Sequence, residues 1–293
     1  MAIYKVGIGG NDANSGLTWA LRKLTLNGVE DIPVVAGDTV HVGPGTYREL
    51  LTVDVSGGAG TPITYIGDYT GKNTDGLGGV VRLTGSDDDI TATRVNCITA
   101  NAKDYRTFRG FNIDLSTSHN INPFALCANW IIDQCYLGDS AQYGIRFSGP
   151  GLNNTIKNSY FGRRASTAGI YLYHTSALDD RNFSIENCIF ESGSGILSAG
   201  IGGVTIKNSV FNNCSYGLFI GLALTAGQTI TVNNCIFAGN IIRAVSALNL
   251  GEIIEDYNSF YNNTSDRLNV AVGANSNTYP PLFDSRWFFE TVK

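Results

Sequence analysis

Charged residues are scarce in this 293-residue sequence, and so are the runs that build long helices. Asp, Glu, Lys and Arg make up 15% of the chain, whereas glycine occurs 35 times. Stretches rich in alanine, leucine, glutamate and lysine are few. Short strands joined by tight turns have this composition. The sequence therefore predicts an all-β protein.

Three other features are missing. The formal net charge of −5 and the pI near 5.2 give no basic surface of the kind that follows a phosphate backbone, so no nucleic-acid partner is expected. No stretch of eighteen apolar residues occurs, which predicts no membrane span. No charged segment followed by an apolar run comes after Met1, so no secretory signal is expected.

Paired cysteine motifs are also missing. None of the six cysteines stands in a CxxC pair, and a chain of this length does not depend on disulfides for stability. We expect free, buried thiols. The six are Cys97, Cys127, Cys135, Cys188, Cys214 and Cys235.

A short motif recurs seven times between residues 108 and 261. Its copies read FRGFNI, IDQCYL, IKNSYF, IENCIF, IKNSVF, VNNCIF and DYNSFY. The copies end 21 to 29 residues apart, at an average interval of about 25. A constant motif at variable intervals indicates loops of different length between fixed elements of a repeat protein.

The pattern within one copy predicts a strand, a corner and a second strand. In VTIKNSVF, apolar Val204 and Ile206 alternate with polar Thr205 and Lys207, and the alternation then shifts at Asn208. Asparagine tolerates the left-handed conformation that a tight corner needs. The same position holds Gln134, Asn158, Asn187, Asn208, Asn234 and Asn258.

A third strand follows each corner pair. Its copies are GIRF (144–147), GIYL (169–172), GILS (195–198), GLFI (217–220) and, more weakly, AVSA (244–247). Three short strands in about 25 residues predict a triangular coil, and successive coils would stack strand on strand about 4.8 Å apart. Identical residues then form ladders along the stack.

These features resemble the right-handed parallel β-helix proteins of the pectate-lyase-like superfamily. The N-terminal segments GGNDANSGLTWALRKL and GDTVHVGPGTYRE look like the superfamily's entry region, in which a short capping helix precedes the first coil. The resemblance implies one all-β domain with an N-terminal cap (1–35), a parallel β-helix of nine or ten coils (36–265) and a C-terminal packing segment (266–293). It implies no single function, because this scaffold carries lyases, hydrolases, epimerases, adhesins and phage tail spikes.

Cysteine and aspartate are the first candidates for site chemistry. Cys135, Cys188 and Cys235 share one motif position with Ser159, Ser209 and Ser259, which indicates a small buried spacer. Lyases that this chain resembles bind calcium through clustered aspartates and use a lysine or arginine as base. The dense acidic cluster is Asp87, Asp88 and Asp89, for which a calcium site and a solvated turn are the alternatives.

A glycosidase needs two carboxyl groups about 5 to 10 Å apart. Outward positions on the second strand instead alternate in charge, which favours a structural ladder over a catalytic acid. These positions are Asp133, Lys157, Glu186, Lys207 and Asn233. The loops around GIYLYH are the best location for an inserted site. Their polar residues are Arg163, Arg164, His174, Asp179, Asp180 and Arg181.

Two stripes of outward residues carry no carboxylate. One comprises Arg146, Tyr171, Leu197, Phe219 and Ser246. We expect Tyr171, Phe219, Arg146 and His174 to contact carbohydrate, because aromatic rings stack on sugars. The second stripe is apolar and predicts an interface with another subunit, or cover by the chain's own WFFETV segment (287–292). It comprises Tyr136, Tyr160, Ile189, Val210, Ile236 and Phe260.

Two classes of function therefore compete. The first is a non-catalytic structural or adhesive protein of a virion, such as a capsid decoration, fibre or tail-spike protein, made in the host cytoplasm and assembled as a homo-oligomer, for instance a trimer, or with other virion proteins. The second is a polysaccharide lyase or glycoside hydrolase, secreted by a non-classical route. No cofactor is expected beyond calcium at the aspartate cluster.

Overall fold

A computed structural model describes residues 1–32, 34–125, 127–149, 151–162, 167–174, 182–191 and 193–281. The loop residues Arg163, Arg164, Asp179, Asp180 and Arg181 and the segment 287–292 lie outside these ranges.

The described residues form a parallel solenoid with three sheets, which confirms the predicted fold class. Sheet A has ten strands, and sheets B and C have nine each, as nine or ten coils require. The described part of the chain contains one helix, the single turn Asn27–Glu30, in the N-terminal region where a short capping helix is expected. No helix there is long and apolar enough to cross a membrane.

After Ile3–Val6, which belongs to sheet A alone, each coil contributes one strand to each sheet. Sheet A comprises Ile3–Val6, Thr39–Val42, Ile63–Gly67, Arg106–Arg109, Ile131–Asp133, Thr155–Lys157, Phe183–Glu186, Val204–Lys207, Ile230–Asn233 and Ile253–Asp256. Sheet B comprises Gly45–Tyr47, Val81–Thr84, Asn112–Asp114, Tyr136–Leu137, Tyr160–Phe161, Ile189–Phe190, Val210–Asn212, Ile236–Ala238 and Ser259–Tyr261. Sheet C comprises Leu51–Val53, Asn96–Asn101, His119–Phe124, Tyr143–Ser148, Ala168–Tyr173, Ser194–Ala199, Tyr216–Leu222, Arg243–Ser246 and Arg267–Leu268.

The inner residues of each sheet stack into apolar ladders. In sheet B, the rings of Phe161, Phe190, Phe211, Phe237 and Phe260 lie with successive centroids 4.6 to 5.1 Å apart. The glycine that opens the sheet C motif makes room for these rings. A Cβ added to Gly195 would lie 2.5 Å from Phe211 Cδ1.

The corner between sheets A and B is left-handed, as the motif predicts. Asn158, Asn187, Asn208 and Asn234 have φ between 51° and 53°, and Gln134 is also at 53°. Asn234 Nδ2 donates to Asn208 Oδ1 at 2.7 Å. The corner is therefore an exposed ladder of side-chain amides.

The last copy of the motif is shifted by one residue from the predicted alignment. Tyr257 has the left-handed φ of 56°, not Asn258. Asn258 takes the buried spacer position instead of Ser259, and its Oδ1 accepts from Cys235 N at 2.8 Å. Phe260 pairs with inner Phe237, so the predicted outward position of Phe260 is wrong and belongs to Ser259. The shift places a phenyl ring in the core ladder, where its burial stabilises the coil.

All six cysteines are free and buried, as expected. Cys188 N donates to Ser209 Oγ at 3.2 Å, which is the stacked spacer arrangement. Cys214, which the motif does not explain, belongs to a second corner. It follows left-handed Asn213, and its backbone N donates to Asn240 Oδ1 one coil later.

Candidate functional site

The outer face of sheet A carries the predicted charge ladder. Asp133, Lys157, Glu186, Lys207 and Asn233 lie on successive strands in register. Lys207 Nζ is 3.1 Å from Glu186 Oε1. These carboxylates are flanked by basic side chains, so the ladder is structural on this face.

The outer face of sheet B carries the apolar stripe. Phe260 faces the core and is not part of this stripe. The remaining five side chains are half-buried and are called the sheet B band: Tyr136, Tyr160, Ile189, Val210 and Ile236. The Tyr136 and Tyr160 rings stack with centroids 5.2 Å apart. A depression of about 380 Å³ lies beside Val210 and Ile236.

The aspartate cluster forms a turn in which each carboxylate has a different partner. Asp87 pairs with Arg94, and Asp89 is bridged by Arg48 and Arg82. Asp88 accepts from the backbone N of residues 90 and 91 and from a serine hydroxyl, and these bonds hold the pKa of its carboxyl far below the usual range. Across the described ranges, no three His, Cys, Asp or Glu side chains are grouped to hold a metal ion. The three aspartates do not fit a calcium site, which needs several oxygens converging on one point.

Sheet C differs from both other faces because its strands contain no acidic residue. None of the nine strands, from Leu51–Val53 to Arg267–Leu268, includes Asp or Glu. Their titratable cations are His119, Arg146, Arg243 and Arg267. In a protein with a formal net charge of −5, the described strands of this sheet therefore carry no negative group that would repel an anion.

The predicted stripe on sheet C is confirmed in register. Arg146 pairs with Tyr171, Tyr171 with Leu197, and Leu197 with Phe219. Ser246 pairs with Phe219 as predicted, but its side chain is buried and not exposed. His174 comes directly after strand Ala168–Tyr173 and is half-buried. His174 therefore stands at the end of a strand that contributes Tyr171 to the stripe.

His119 begins strand His119–Phe124, one coil before Arg146, and its side chain contacts Arg146. Its Nε2 is 3.3 Å from Arg146 Nη1, and its ring stacks on Tyr143 with centroids 5.2 Å apart. His119 is 2% exposed. Burial, and then the charge of Arg146, lower the pKa of His119 to about 4, so the imidazole is neutral at pH 7. Arginine only donates, so Nε2 is the accepting nitrogen and Nδ1 carries the proton.

Three tyrosines form a cluster next to Arg146. Tyr143 and Tyr171 stack with centroids 4.4 Å apart, and Tyr171 and Tyr173 with centroids 5.7 Å apart. Burial raises the pKa of both Tyr143 and Tyr171. These phenols therefore stay protonated at neutral pH and serve as hydrogen-bond donors and stacking surfaces.

Several polar atoms at this cluster are buried without a hydrogen-bond partner in the described part of the chain. They are Asn96 Oδ1, Asn122 Oδ1 and Arg146 Nε. Asn96 pairs with His119 in the sheet, and Asn122 stands one coil before Arg146. An unpaired buried polar atom costs about 1–3 kcal/mol, so clustering of such atoms points to a ligand or water site.

The predicted sugar-binding aromatics are partly covered by their neighbours. Tyr171 contacts two other tyrosine rings, and Phe219 stacks on Tyr216 with centroids 4.7 Å apart. Sequence reasoning missed His119, Tyr143, Asn122 and Asn96. The available signal was HNINPF, which aligns with YGIRFS one coil later, but Asn120 replaces the glycine that marks the other copies.

Comparisons with solved structures show the same architecture. A rhamnogalacturonan lyase has a TM-score of 0.75 with 19% identity, over 89% of this chain and 74% of its own. The pectate lyase Pel9A has a TM-score of 0.65 with 14% identity, over 94% of this chain and 79% of its own. An alginate lyase from Paenibacillus sp. str. FPU-7 has a TM-score of 0.57 with 14% identity, over 94% of this chain and 98% of its own. At these identities the likeness establishes the fold alone.

No curated protein sequence matches the chain. A family model described as "Right handed beta helix region" matches residues 84–265, which is more than half of the sequence. The chain therefore belongs to the right-handed β-helix family.

Proposed function

We propose that this β-helix protein binds a polysaccharide on the outer face of sheet C and does not cleave it. The observation that carries the proposal is the cluster of Arg146, His119 and three stacked tyrosines, which includes buried polar atoms without partners. Sugars present hydroxyl groups and apolar ring faces, and sites for them combine aromatic surfaces with a few oriented polar groups.

The chemistry of this face favours binding over cleavage. A glycosidase uses a pair of carboxyl groups, and the described strands of sheet C contain none. A lyase needs a base that is unprotonated at working pH and reaches the substrate. His119 is buried and its pKa is lowered, which makes it a weak base, whereas the pKa values of Tyr143 and Tyr171 are raised. Arg146, of a residue type that serves as base in the lyases this chain resembles, donates to His119 Nε2 instead.

The second candidate is a polysaccharide lyase. The rhamnogalacturonan, pectate and alginate lyases among the solved structures of similar fold favour it. The arginine and tyrosines on sheet C are compatible with contact to the same class of polymer.

One experiment separates the two candidates. The protein is run through native gels that contain pectin, alginate, xylan or rhamnogalacturonan, and each polymer is then assayed for new reducing ends and unsaturated sugars. We expect retardation by at least one polymer without products. Retardation should be lost in Tyr171→Ala and kept in Ile254→Ala, an exposed apolar change on sheet A. Product release that Tyr171→Ala abolishes would establish the lyase instead, and no retardation by any polymer would overturn glycan binding.

We further propose that the sheet B band contacts neighbouring subunits, either copies of this chain in a homo-oligomer or other proteins of a virion. Five half-buried apolar side chains in one row support this, because apolar bands of this length are usually covered. Light scattering coupled to size-exclusion chromatography tests it. Val210→Asp together with Ile236→Asp should reduce the mass of an oligomer, and a monomeric parent protein would overturn the homo-oligomer.

A further inference from the structure

We propose that residues 273–279, called the closing segment, occupy a strand edge that otherwise joins two copies of this chain end to end. The edge belongs to strand Ser259–Tyr261, the last strand of sheet B, and the partner is a second copy of the chain. This inference goes beyond the glycan and subunit contacts proposed above, because it concerns the end of the coil stack and not its faces.

The first observation is the way in which the closing segment pairs with the last coil. Phe260 N donates to Asn277 O at 2.9 Å, and Asn277 N donates to Asn258 O at 2.8 Å. These two bonds make a parallel bridge between Ser259 and Asn277. Ser259 N points the other way and donates to Cys235 O in the preceding coil. Phe260 N and Asn258 O are therefore the groups that this strand directs away from the stack, and the closing segment pairs both.

The second observation is that these two groups are self-complementary. In an antiparallel ladder, the residues of a non-hydrogen-bonded pair face each other, and the N–H after each residue bonds to the C=O before the other. If Ser259 faces its counterpart in a second copy across a two-fold axis, Phe260 N of each copy meets Asn258 O of the other. A strand edge with such groups is a template for pairing with another chain, and a two-fold axis closes the assembly at a dimer.

The same axis keeps the core on one side of the joined sheet. An axis perpendicular to sheet B at Ser259 turns the second copy end over end, so that the inner faces of both sheets stay on the same side. Ser259 faces outward, whereas Phe260 faces the core and is the last ring of the phenylalanine ladder. End-to-end joining would therefore bury the end of this ladder against a second copy, which is favourable for an apolar surface.

Glu255 holds the closing segment in place. Its carboxylate accepts from Gly273 N at 2.8 Å and from Ser276 Oγ at 2.5 Å, and its side chain is fully buried. Arg267 donates to the same carboxylate, and its guanidinium lies 3.8 Å from the centroid of the Phe260 ring. One carboxylate thus ties the closing segment to the cation that covers the last ring. Loss of its charge should loosen both from the end of the stack.

Other bonds of the closing segment lie at the surface of the protein. Asn275 binds the carboxylate of Asp256 at 2.8 and 2.9 Å, and Tyr279 O accepts from Ser259 Oγ at 3.0 Å. The Tyr279 side chain is 75% exposed. Segments held mainly by exposed hydrogen bonds open locally at low cost. The edge is therefore covered by a segment that a competing strand can displace.

Two variants at one position test the pairing. Asn277→Pro removes the backbone N–H that bonds to Asn258 O and leaves the edge strand unchanged, whereas Asn277→Ala keeps this N–H. Each is combined with Ser259→Cys, because the facing Cα atoms of such a pair lie about 4.5 Å apart, within the range of a disulfide. The six native cysteines are buried and should not react.

Under mild oxidation, covalent dimers are followed on denaturing gels. We expect Asn277→Pro to form them about tenfold faster than Asn277→Ala, because only the proline variant frees Asn258 O for a second copy. Equal rates for the two variants, or no dimer from Asn277→Pro, would overturn the proposal.

Glu255→Gln provides a second route to the open edge. It is made in the Val210→Asp, Ile236→Asp background, so that association through the sheet B band does not contribute to the mass measured by light scattering. We expect the background to be monomeric and the added Glu255→Gln to double the mass. Adding Ser259→Lys as well should restore the monomer, since like charges would then face each other at the axis.

A Glu255→Gln protein that stays monomeric, or a dimer that Ser259→Lys leaves intact, would contradict the Ser259-centred pairing. Non-specific aggregation of a damaged protein falls under the second outcome, because a single lysine at the axis would not reverse it. Glycan binding and association through the sheet B band are measured by separate experiments, and neither result depends on this one.

Discussion

The rings of Phe190 and Phe211 lie parallel, with centroids 4.8 Å apart and planes inclined by 3°. They belong to consecutive coils and occupy the middle of the five-membered ladder inside sheet B. The spacing equals the distance between hydrogen-bonded strands, so the ring stack and the backbone ladder have the same repeat. Each ring thereby fixes the register of the coil above and below it.

Truncating the central ring tests this role. Phe211→Ala should lower the free energy of unfolding by about 3–5 kcal/mol, because it removes buried hydrocarbon and leaves a cavity between two rings. Phe211→Leu should cost less, since it keeps most of the volume. Urea denaturation followed by circular dichroism measures both. The control is Tyr279→Ala, whose side chain is 75% exposed. A Phe211→Ala midpoint equal to that of the control would contradict the ladder's contribution.

The motif spacing was sufficient to predict the fold, because a repeat of about 25 residues with three apolar strands has few ways to bury its inner faces. The spacing did not determine the alignment of the motif in the last coil. DYNSFY has aromatic residues at both Phe260 and Tyr261, so the motif fits the sequence in two registers. Stacking of Phe260 on Phe237 at 5.1 Å selects one of them.

The site on sheet C was predicted only in part. Arg146 and Tyr171 were found because GIRF and GIYL share a glycine. His119 was not, because its strand has Asn120 at the glycine position, where the amide donates to two backbone carbonyls in the core. Contacts between coils depend on such register details, and a motif anchored on one residue type does not detect them.

A second prediction concerns the left-handed corner. There a glycine variant should be more stable than an alanine variant, which is the reverse of the usual order. Asn208 has φ of 52° and accepts from Asn234 Nδ2. Asn208→Ala should cost about 1–3 kcal/mol, since it loses this bond and places Cβ in an unfavourable conformation. Asn208→Gly should cost less, because glycine adopts the same φ without strain.

The matched control for the corner is Thr205, an exposed position on the preceding strand. There Thr205→Gly should be less stable than Thr205→Ala, because an extended strand gives glycine no steric advantage. Urea midpoints of the four variants compare the two positions. If the alanine and glycine variants had the same order of stability at both positions, the conformational role of Asn208 would be contradicted.

His119 should make the stability of the protein depend on pH. Burial, and then the adjacent Arg146, lower the pKa of its imidazole from 6.5 to about 4. The unfolded chain therefore binds a proton between these values while the folded protein does not, and stability falls as pH drops from about 6.5 towards 4. The loss attributable to this group is at most about 3 kcal/mol.

Other groups titrate in the same range, so the difference between two proteins is the informative quantity. Urea denaturation of the parent protein and of His119→Gln at pH 7, 6, 5 and 4 isolates the contribution of His119. The parent should lose more stability than the variant between pH 6.5 and 4. His41, whose pKa is also lowered by burial, gives a residual slope of the same sign in both proteins. Parallel curves would contradict the lowered pKa of buried His119.

Two ion pairs in this protein should differ sharply in their contribution to stability. Arg106 makes two 2.9 Å bonds to Glu30, and both side chains are at most 2% exposed. Tyr65 also donates its hydroxyl to Glu30 Oε1 at 2.6 Å. Arg106→Met should cost about 3–5 kcal/mol, because it leaves a buried carboxylate without its counter-ion. Adding Glu30→Gln should recover part of this loss, since the remaining polar group is then neutral.

The surface pair of Lys207 and Glu186 is the matched comparison, because its side chains are 43% and 27% exposed. Lys207→Met should cost no more than about 1 kcal/mol, and this small effect should disappear at high salt. Urea denaturation at low and high ionic strength measures both pairs. A salt-dependent loss for Arg106→Met, or equal losses at the two sites, would contradict the buried pair's role. The expected contrast follows from solvent access, because water hydrates Glu186 when its partner is removed but does not reach Glu30.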